Sequence, residues 1–133
     1  MALQFSILVR NARLDAIETQ ISTLAKLKIF TTAPPADCDT ADSGTVLATL
    51  DLPSDWMAAA AAGSKAKAGT WEDTSADATG TAGHFRVYAS DGTTCGIQGT
   101  VGTAATDMIV DSVDFNITQA FTISSFTITD GNA

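Results

Sequence analysis

Hydrophobic and polar residues alternate along much of this chain, and the clearest alternation covers residues 84–101. Phe85 and Val87 alternate with more polar neighbours, which is the period-two pattern of a half-buried strand. The Asp91-Gly92 pair then supplies a tight turn, and a second alternating run begins at Cys95. We therefore predict a β-hairpin whose polar face is exposed.

Other stretches repeat this pattern and indicate that the chain is mainly β. Alternating runs cover residues 27–31 and 46–51, and the last third of the chain holds several more. At Ser124-Ser125 the alternation shifts by one residue, as happens at a β-bulge or at a bend between sheets. About seven or eight strands separated by turns predict a single β-sandwich or jelly-roll-like domain over residues 10–133.

Two helices are predicted outside the strands. The first follows an extended N-terminal arm of residues 1–9, is capped by Asn11 and ends near Ala25. Its apolar face recurs at helical spacing and consists of Leu14, Ile17, Ile21 and Leu24. The second is a short helix over residues 55–62, which a run of alanines favours and Gly63 stops. We expect the first helix to pack on the sheet, and docking on a neighbouring subunit is the alternative.

The charge balance excludes one large class of partners. The chain has 133 residues, with 7 Lys and Arg against 15 Asp and Glu, and a net charge of −8 at pH 7. Because binding to phosphates needs clustered Lys and Arg, we predict no binding to nucleic acid. No apolar run reaches the length of a transmembrane span, and the N-terminus lacks the basic start of a signal peptide. We therefore expect no membrane association, and synthesis in the cytoplasm.

Residues that carry chemistry in other proteins are few and scattered here. His84 has no second histidine with which to share a metal; we expect it on the exposed face, opposite Gln98 and across the sheet from Cys95. The carboxylates of residues 72–77 lack the aromatic cleft of a glycosidase. The acidic loop 37–42 lacks the glycine and the bidentate Glu of a calcium loop. We therefore predict no catalytic, cofactor-binding or metal site, and no enzymatic activity.

Two cysteines, Cys38 and Cys95, allow one disulfide. Cys38 lies in a proline-rich loop and Cys95 begins a predicted strand, so a bond between them is geometrically allowed. Synthesis in a reducing cytoplasm disfavours the bond, whereas later release from the cell permits oxidation. The sequence leaves both states open.

Several segments carry a resemblance to a known family. They are residues 9–18, 52–57 (LPSDWM), 76–86 (ADATGTAGHFR), 92–94, 98–101 and 124–129. Together they resemble a family of small bacteriophage proteins found among virion structural genes, and the likeness covers most of the chain. It implies a virion role, with capsid decoration or cement favoured, and it carries over no catalytic residues.

On this resemblance we expect a virion protein, made in the host cytoplasm, that binds the major capsid protein or another virion protein. We also expect a homo-oligomer, with a trimer favoured. The candidate contact residues are apolar side chains of the arm and of the second predicted helix: Leu3, Phe5, Ile7, Trp56 and Met57. Two alternatives are a tail, neck or fibre-base component, and a carbohydrate- or receptor-binding module that uses an exposed Trp71 or Tyr88.

Overall fold

One helix and ten short strands make up the fold in the computed structural model, which describes residues 3–131. The helix, α1, is Ile7–Ile21. The strands are β1 Lys26–Phe30, β2 Val46–Asp51, β3 Ser64–Ala66, β4 Glu72–Asp73, β5 Gly80–Thr81, β6 His84–Tyr88, β7 Cys95–Gly102, β8 Met108–Val110, β9 Asp114–Phe115 and β10 Phe121–Thr129. The chain is mainly β, with 37% strand and 12% helix in a β-sandwich-like arrangement, which confirms the predicted fold class.

Most strands belong to one curled sheet, in the order β2-β1-β6-β7-β8-β10-β3, and β4 also pairs with β10. Within it β7 and β8 run parallel, and the other pairs are antiparallel. The β5 and β9 strands pair separately. The register of β10 shifts between Ile123 and Ser125, so the bulge predicted there is confirmed. The shift lets both Ile123 and Phe126 face the core.

Aromatic side chains form the centre of that core. Trp71 lies 6.1 Å from Trp56 and 5.8 Å from Phe126, measured between ring centroids. Phe126 in turn meets Phe85 edge-on at 5.3 Å. Tilted and edge-on contacts of this kind are favourable beyond the apolar area they bury. Helix α1 adds Ile21 to the same cluster.

Helix α1 begins earlier than predicted. The Ser6 hydroxyl accepts a hydrogen bond from the Val9 N–H at 3.3 Å, so Ser6 and not Asn11 is the N-cap. Residues 7–9, predicted to be extended, therefore form the first helical turn, and the prediction of an extended arm is wrong there. Residues 1–2 of that arm lie outside the described residues. The alternation of apolar residues in this segment favours a strand, but Ser6 caps the backbone and a helix forms instead.

The helix also ends earlier than predicted. Ser22 has a φ of 75°, and its backbone N–H bonds to Glu18 O at 2.8 Å, which closes the last turn. Leu14 and Ile21 of the predicted apolar face are buried. Leu24 lies beyond the end of the helix and is 64% exposed, so its predicted burial is wrong.

The alanine-rich segment is a β-hairpin and not a helix, so the second predicted helix is wrong. The N–H and C=O groups of Ala61 and Ser64 exchange two hydrogen bonds of 2.9 Å around a two-residue turn. Both turn residues have positive φ, 51° for Ala62 and 76° for Gly63, as a primed hairpin turn requires. Alanine favours a helix locally, but pairing with β3 satisfies this backbone within the sheet.

Candidate functional site

Apolar side chains at the start of α1 are exposed together. Leu3 is 74% exposed, Ile7 54% and Leu8 80%, and Val9 is exposed as well. We call these four residues the N-terminal apolar surface. Several large apolar side chains exposed within one short segment are typical of an interaction surface. Leu3 and Ile7 belong to the predicted contact set, whereas Leu8 and Val9 were missed because the first helical turn was not recognised.

Hydrogen bonds fix the helix that carries this surface. The Arg10 guanidinium donates to the carbonyl oxygen of Asp130 through Nε at 3.0 Å and Nη2 at 2.7 Å. Arg13 Nε lies 3.3 Å from the Asp130 carboxylate. Asn11 Oδ1 accepts the Gly63 N–H at 3.0 Å. The start of α1 is therefore tied both to the hairpin turn at Gly63 and to the segment after β10.

Phe5, the third predicted contact residue of the arm, is partly covered. Its ring lies under the Arg13 guanidinium, whose central carbon is 4.8 Å from the ring centroid. Phe5 is therefore half-buried and borders the N-terminal apolar surface.

Trp56 and Met57, the remaining predicted contact residues, are buried in the core, so an exposed contact role for them is wrong. The indole N–H of Trp56 donates to Ser22 O at 3.1 Å, just past the end of α1. Met57 forms a bridge with Lys67 instead of lying on a helix. Both errors follow from the helix predicted for this segment, which would have left one of its faces exposed.

A second polar region lies where the loop between β1 and β2 crosses the sheet. We call residues 31–45 the covering loop. Arg86 of β6 donates through Nη2 to the carbonyl oxygens of Asp37 at 3.1 Å and Thr40 at 2.7 Å. Gln98 of β7 donates to Pro35 O at 2.8 Å and accepts from Arg86 Nε at 3.1 Å. Because the loop covers this face of β6 and the core covers the other, every residue of β6 is buried, so the predicted exposed polar face is wrong for β6. On β7, Thr100 of that face is exposed and Gln98 is half-buried.

Cys38 belongs to the covering loop and Cys95 begins β7, and both are free thiols. Cys95 is opposite Tyr88 in the ladder, because the register of β6 with β7 shifts between Val87 and Tyr88. Burial, and after it the neighbouring Cys38 thiol, raise the pKa of the Cys95 thiol to about 12. The Tyr88 hydroxyl donates to Asp42 of the loop at 3.3 Å.

His84 is fully buried, so its predicted place on an exposed face opposite Gln98 is wrong. Its ladder partner is Thr100, and its ring stacks on Phe30 at 4.8 Å. Nδ1 lies 3.0 Å from Thr32 O, which assigns the proton to Nδ1.

The predicted separation of His84 and Cys95 onto opposite faces is also wrong, because the register shift puts Cys95 on the side of Tyr88 and His84. His84 and Tyr88 are nevertheless roughly 13 Å apart along the strand, so the geometry does not support a cysteine–histidine dyad.

Lys65 forms a buried ionic centre beside an open cleft. Its Nζ lies 2.7 Å from Asp15 Oδ1, 3.0 Å from Glu18 Oε2 and 2.9 Å from Ala58 O, so all three N–H bonds have acceptors. Burial opposes the charge, but the hydrogen bonds to Asp15 and Glu18 outweigh it and raise the pKa of Lys65. The hydrogen bond from Lys65 and that from the Ala60 N–H lower the pKa of Asp15. With its donors satisfied, Lys65 joins α1 to β3 and is not a free nucleophile.

The aromatic platform expected of a carbohydrate-binding module is not formed by the two residues predicted for it. Trp71 is buried in the core and Tyr88 lies under the covering loop, so their predicted exposure is wrong. The neighbouring carboxylates have structural roles: Asp73 accepts from the Thr49 N–H and Asp77 from the Thr49 hydroxyl. Among residues 3–131, no group of three or more His, Cys, Asp or Glu side chains is arranged to hold a metal ion.

The comparisons with known proteins add no relative. No protein-family model, no curated protein and no solved structure matches this chain. In the part of the chain that the structure describes, no helix is long and apolar enough to cross a membrane. The resemblance to bacteriophage virion proteins therefore stays a prediction that rests on the residues quoted for it.

Proposed function

We propose that this chain is a bacteriophage virion structural protein that decorates or cements the capsid by binding the outer capsid lattice through the N-terminal apolar surface. The exposure of Ile7 and Leu8 on an anchored helix, with Leu3 exposed just before it, is the observation that carries the proposal. The resemblance to virion structural proteins supplies the partner, the major capsid protein.

The placement of the surface suits a contact that must be rigid. Because Arg10 and Asn11 tie α1 to the rest of the chain, the apolar side chains lose little further backbone freedom on binding. A surface ordered in advance binds more tightly for the same buried area. A homo-oligomer, with a trimer favoured, would repeat this surface at the threefold positions of a lattice.

Stabilisation of the shell follows from linkage. A protein that binds assembled capsomers and not free subunits shifts the equilibrium toward the assembled lattice by mass action. In such a role, affinity comes from apolar area at the centre of the contact, and a few side chains carry most of it. Leu8, as the most exposed large apolar residue of the surface, is the strongest candidate for one of these.

Co-sedimentation with capsids stripped of accessory proteins tests the proposal. We expect saturable binding at a fixed ratio to the major capsid subunit, and at least a tenfold loss of affinity, in order of magnitude, for Leu8→Asp. The substitution should not unfold the helix, because a carboxylate in the first helical turn interacts favourably with the helix dipole.

Leu24→Asp is the matched control. Leu24 is similarly exposed but follows the other end of α1, where its φ of 59° suits Asp at least as well as Leu. We expect it to bind like the wild type. Absence of capsid binding, with the protein still present in intact virions, would favour a tail, neck or fibre-base component instead. Absence from virions would contradict any structural role.

A further inference from the structure

We propose that Cys38 and Cys95 form a reversible disulfide that locks the covering loop onto β6 and β7. The inference is independent of the capsid role, because it rests on the internal geometry of the chain. Both thiols are free in the structure, so the reduced protein is the state described here.

The hydrogen bonds on either side of Cys38 hold it at the sheet. Arg86 Nη2 binds the carbonyl oxygens of both Asp37 and Thr40, so the segment containing Cys38 is fixed above β6. Arg86 itself is buried, which means that the loop lies on it closely. A cysteine between two such anchors has little freedom to leave its position.

Cys95 reaches the same place from the other strand. It is opposite Tyr88 in the ladder, and the side chains of directly opposed residues share a face of the sheet. Tyr88 and Arg86 are two residues apart on β6 and so point to that same face. Tyr88 also bonds to Asp42 of the covering loop, so the loop is held to the sheet next to Cys95 as well as next to Arg86.

The reaction needs an oxidant, and a low-molecular-weight disulfide such as oxidised glutathione supplies it. The Cys38 thiolate attacks one sulfur of that disulfide, forms a mixed disulfide and releases the first small thiolate. The Cys95 thiolate then attacks the Cys38 sulfur, which forms the Cys38–Cys95 bond and releases the second small thiolate. The two protons of the cysteine thiols end on the two released thiols, so two cysteines are oxidised while one small disulfide is reduced.

The proton of Cys95 has a place to go in the second step. Burial and the Cys38 thiol raise the pKa of Cys95, so its proton passes to the first released small thiolate as Cys95 attacks the Cys38 sulfur. The product closes a long loop, roughly 60 residues of chain, and cross-links of that length restrict the unfolded chain strongly.

The test incubates the full chain in glutathione buffers that range from reducing to oxidising, followed by alkylation and intact-mass analysis. Trypsin cleaves between the two cysteines after Lys65, Lys67 and Arg86, and before Cys38 it cleaves after Lys28. An intramolecular bond therefore joins tryptic peptides 29–65 and 87–133 in a protein of monomer mass. We further expect the oxidised protein to unfold at a temperature roughly 10 °C higher than the reduced protein. Amide exchange within residues 33–45 should slow several-fold.

Cys38→Ser and Cys95→Ser are the matched variants, and neither should respond to the oxidant. If Cys95→Ser fails to fold, Cys38→Ser in the covering loop still serves. Thiols that remain open to alkylation in the oxidising buffer would overturn the proposal, and so would a disulfide-linked dimer in place of the internal bond. A cross-link that changes neither the unfolding temperature nor the amide exchange of residues 33–45 would also contradict the proposal that the disulfide fixes the covering loop.

Discussion

At the scale of single residues, the polar groups that matter most for stability are the buried ones with complete sets of partners. Lys65 is 3% exposed, and its ammonium group bonds to α1 through Asp15 and Glu18 and to the hairpin through Ala58 O. Burial of a lysine is costly unless each donor is paired. Here every donor is paired, and the bonds join β3 to α1, which is distant from it in the sequence.

Lys65→Met should destabilise the protein by about 2 kcal/mol, because it leaves two neighbouring carboxylates and a carbonyl without their shared donor. Urea unfolding at pH 7 measures the change. Lys67→Met, two residues along the same segment, removes a lysine whose Nζ bonds to Gly69 O near the surface. We expect that control to stay within about 0.5 kcal/mol of the wild type. Equal losses for the two variants would contradict the role assigned to Lys65.

Asp91 makes the hairpin turn sensitive to acid. Its carboxylate accepts from the Thr94 hydroxyl at 2.5 Å and from the backbone N–H groups of Thr93 and Thr94 at 2.9 Å each. The bond from the Thr94 hydroxyl and those from the backbone lower the pKa of Asp91 to about 2. Because this pKa is depressed on folding, the stabilisation is present above pH 3.8, the ordinary value, and is lost as the pH falls toward 2.

Asp91→Asn should therefore be less stable than the wild type at pH 7, and the difference should shrink between pH 4 and pH 2. Urea midpoints across that range measure it, and carboxyl NMR gives the titration of Asp91 directly. Asp111→Asn, at another exposed position, controls for the loss of one negative charge. A titration midpoint of Asp91 near 4 would contradict this account of the turn.

At the scale of elements, the hairpin with its turn at Ala62 and Gly63 shows that sheet pairing can outweigh the helical preference of alanine. A positive φ at Gly63 and the closeness of α1 both require glycine, since an added Cβ would collide with the Arg10 guanidinium. The same turn therefore shapes the hairpin and leaves room for the bond from Arg10 to Asp130. The turn and the helix anchor depend on one residue.

Gly63→Ala should cost about 3 kcal/mol, because backbone strain adds to the displacement of Arg10. Gly69→Ala separates the two contributions, since Gly69 also has a positive φ, of 69°, but an added Cβ would meet only Pro53 Cγ at 3.6 Å. We expect about 1 kcal/mol there. Thermal or urea unfolding of both variants gives the comparison, and equal costs would show that contact with Arg10 contributes nothing.

Elements that depend on near neighbours in the chain were predictable from the sequence. The alternation in β6 and in β10, with its bulge, follows from packing on one core face. The alanine segment was mispredicted because alanine favours a helix locally, whereas its hairpin partner β3 is held in the sheet by β10, at the far end of the chain. The exposed surface on α1 was predicted only in part, since Ser6 as a cap competes with an alternating pattern that also fits a strand.

Burial of the second face of β6 was hidden for the same reason. It depends on the covering loop, which is distant in the sequence. The bond from Arg86 to Thr40, for example, joins residues 46 positions apart. A sequence read by periodicity reports which face is apolar, but not whether a loop covers the polar face. The aromatic pair proposed for a sugar platform failed on this point, because Tyr88 lies under that loop.

At the scale of the whole molecule, the acidic surface and the apolar surface predict different salt dependences for partner binding. The net charge is −8, and several basic side chains already bind acidic groups of this chain: Arg13, Lys26 and Lys65. Few basic groups are thus left to attract an acidic patch on a partner. Copies bound side by side on a lattice would also repel one another.

Raising NaCl from about 0.05 to about 0.5 M shortens the Debye length roughly threefold and screens that repulsion. If the N-terminal apolar surface carries the contact, capsid affinity should stay constant or rise with salt, since burial of apolar area does not depend on charge attraction. Co-sedimentation isotherms at each salt concentration measure it, with Leu8→Asp as a weak binder throughout. A fall in affinity of tenfold or more would instead assign the contact to charged side chains, and the apolar surface would then need another partner.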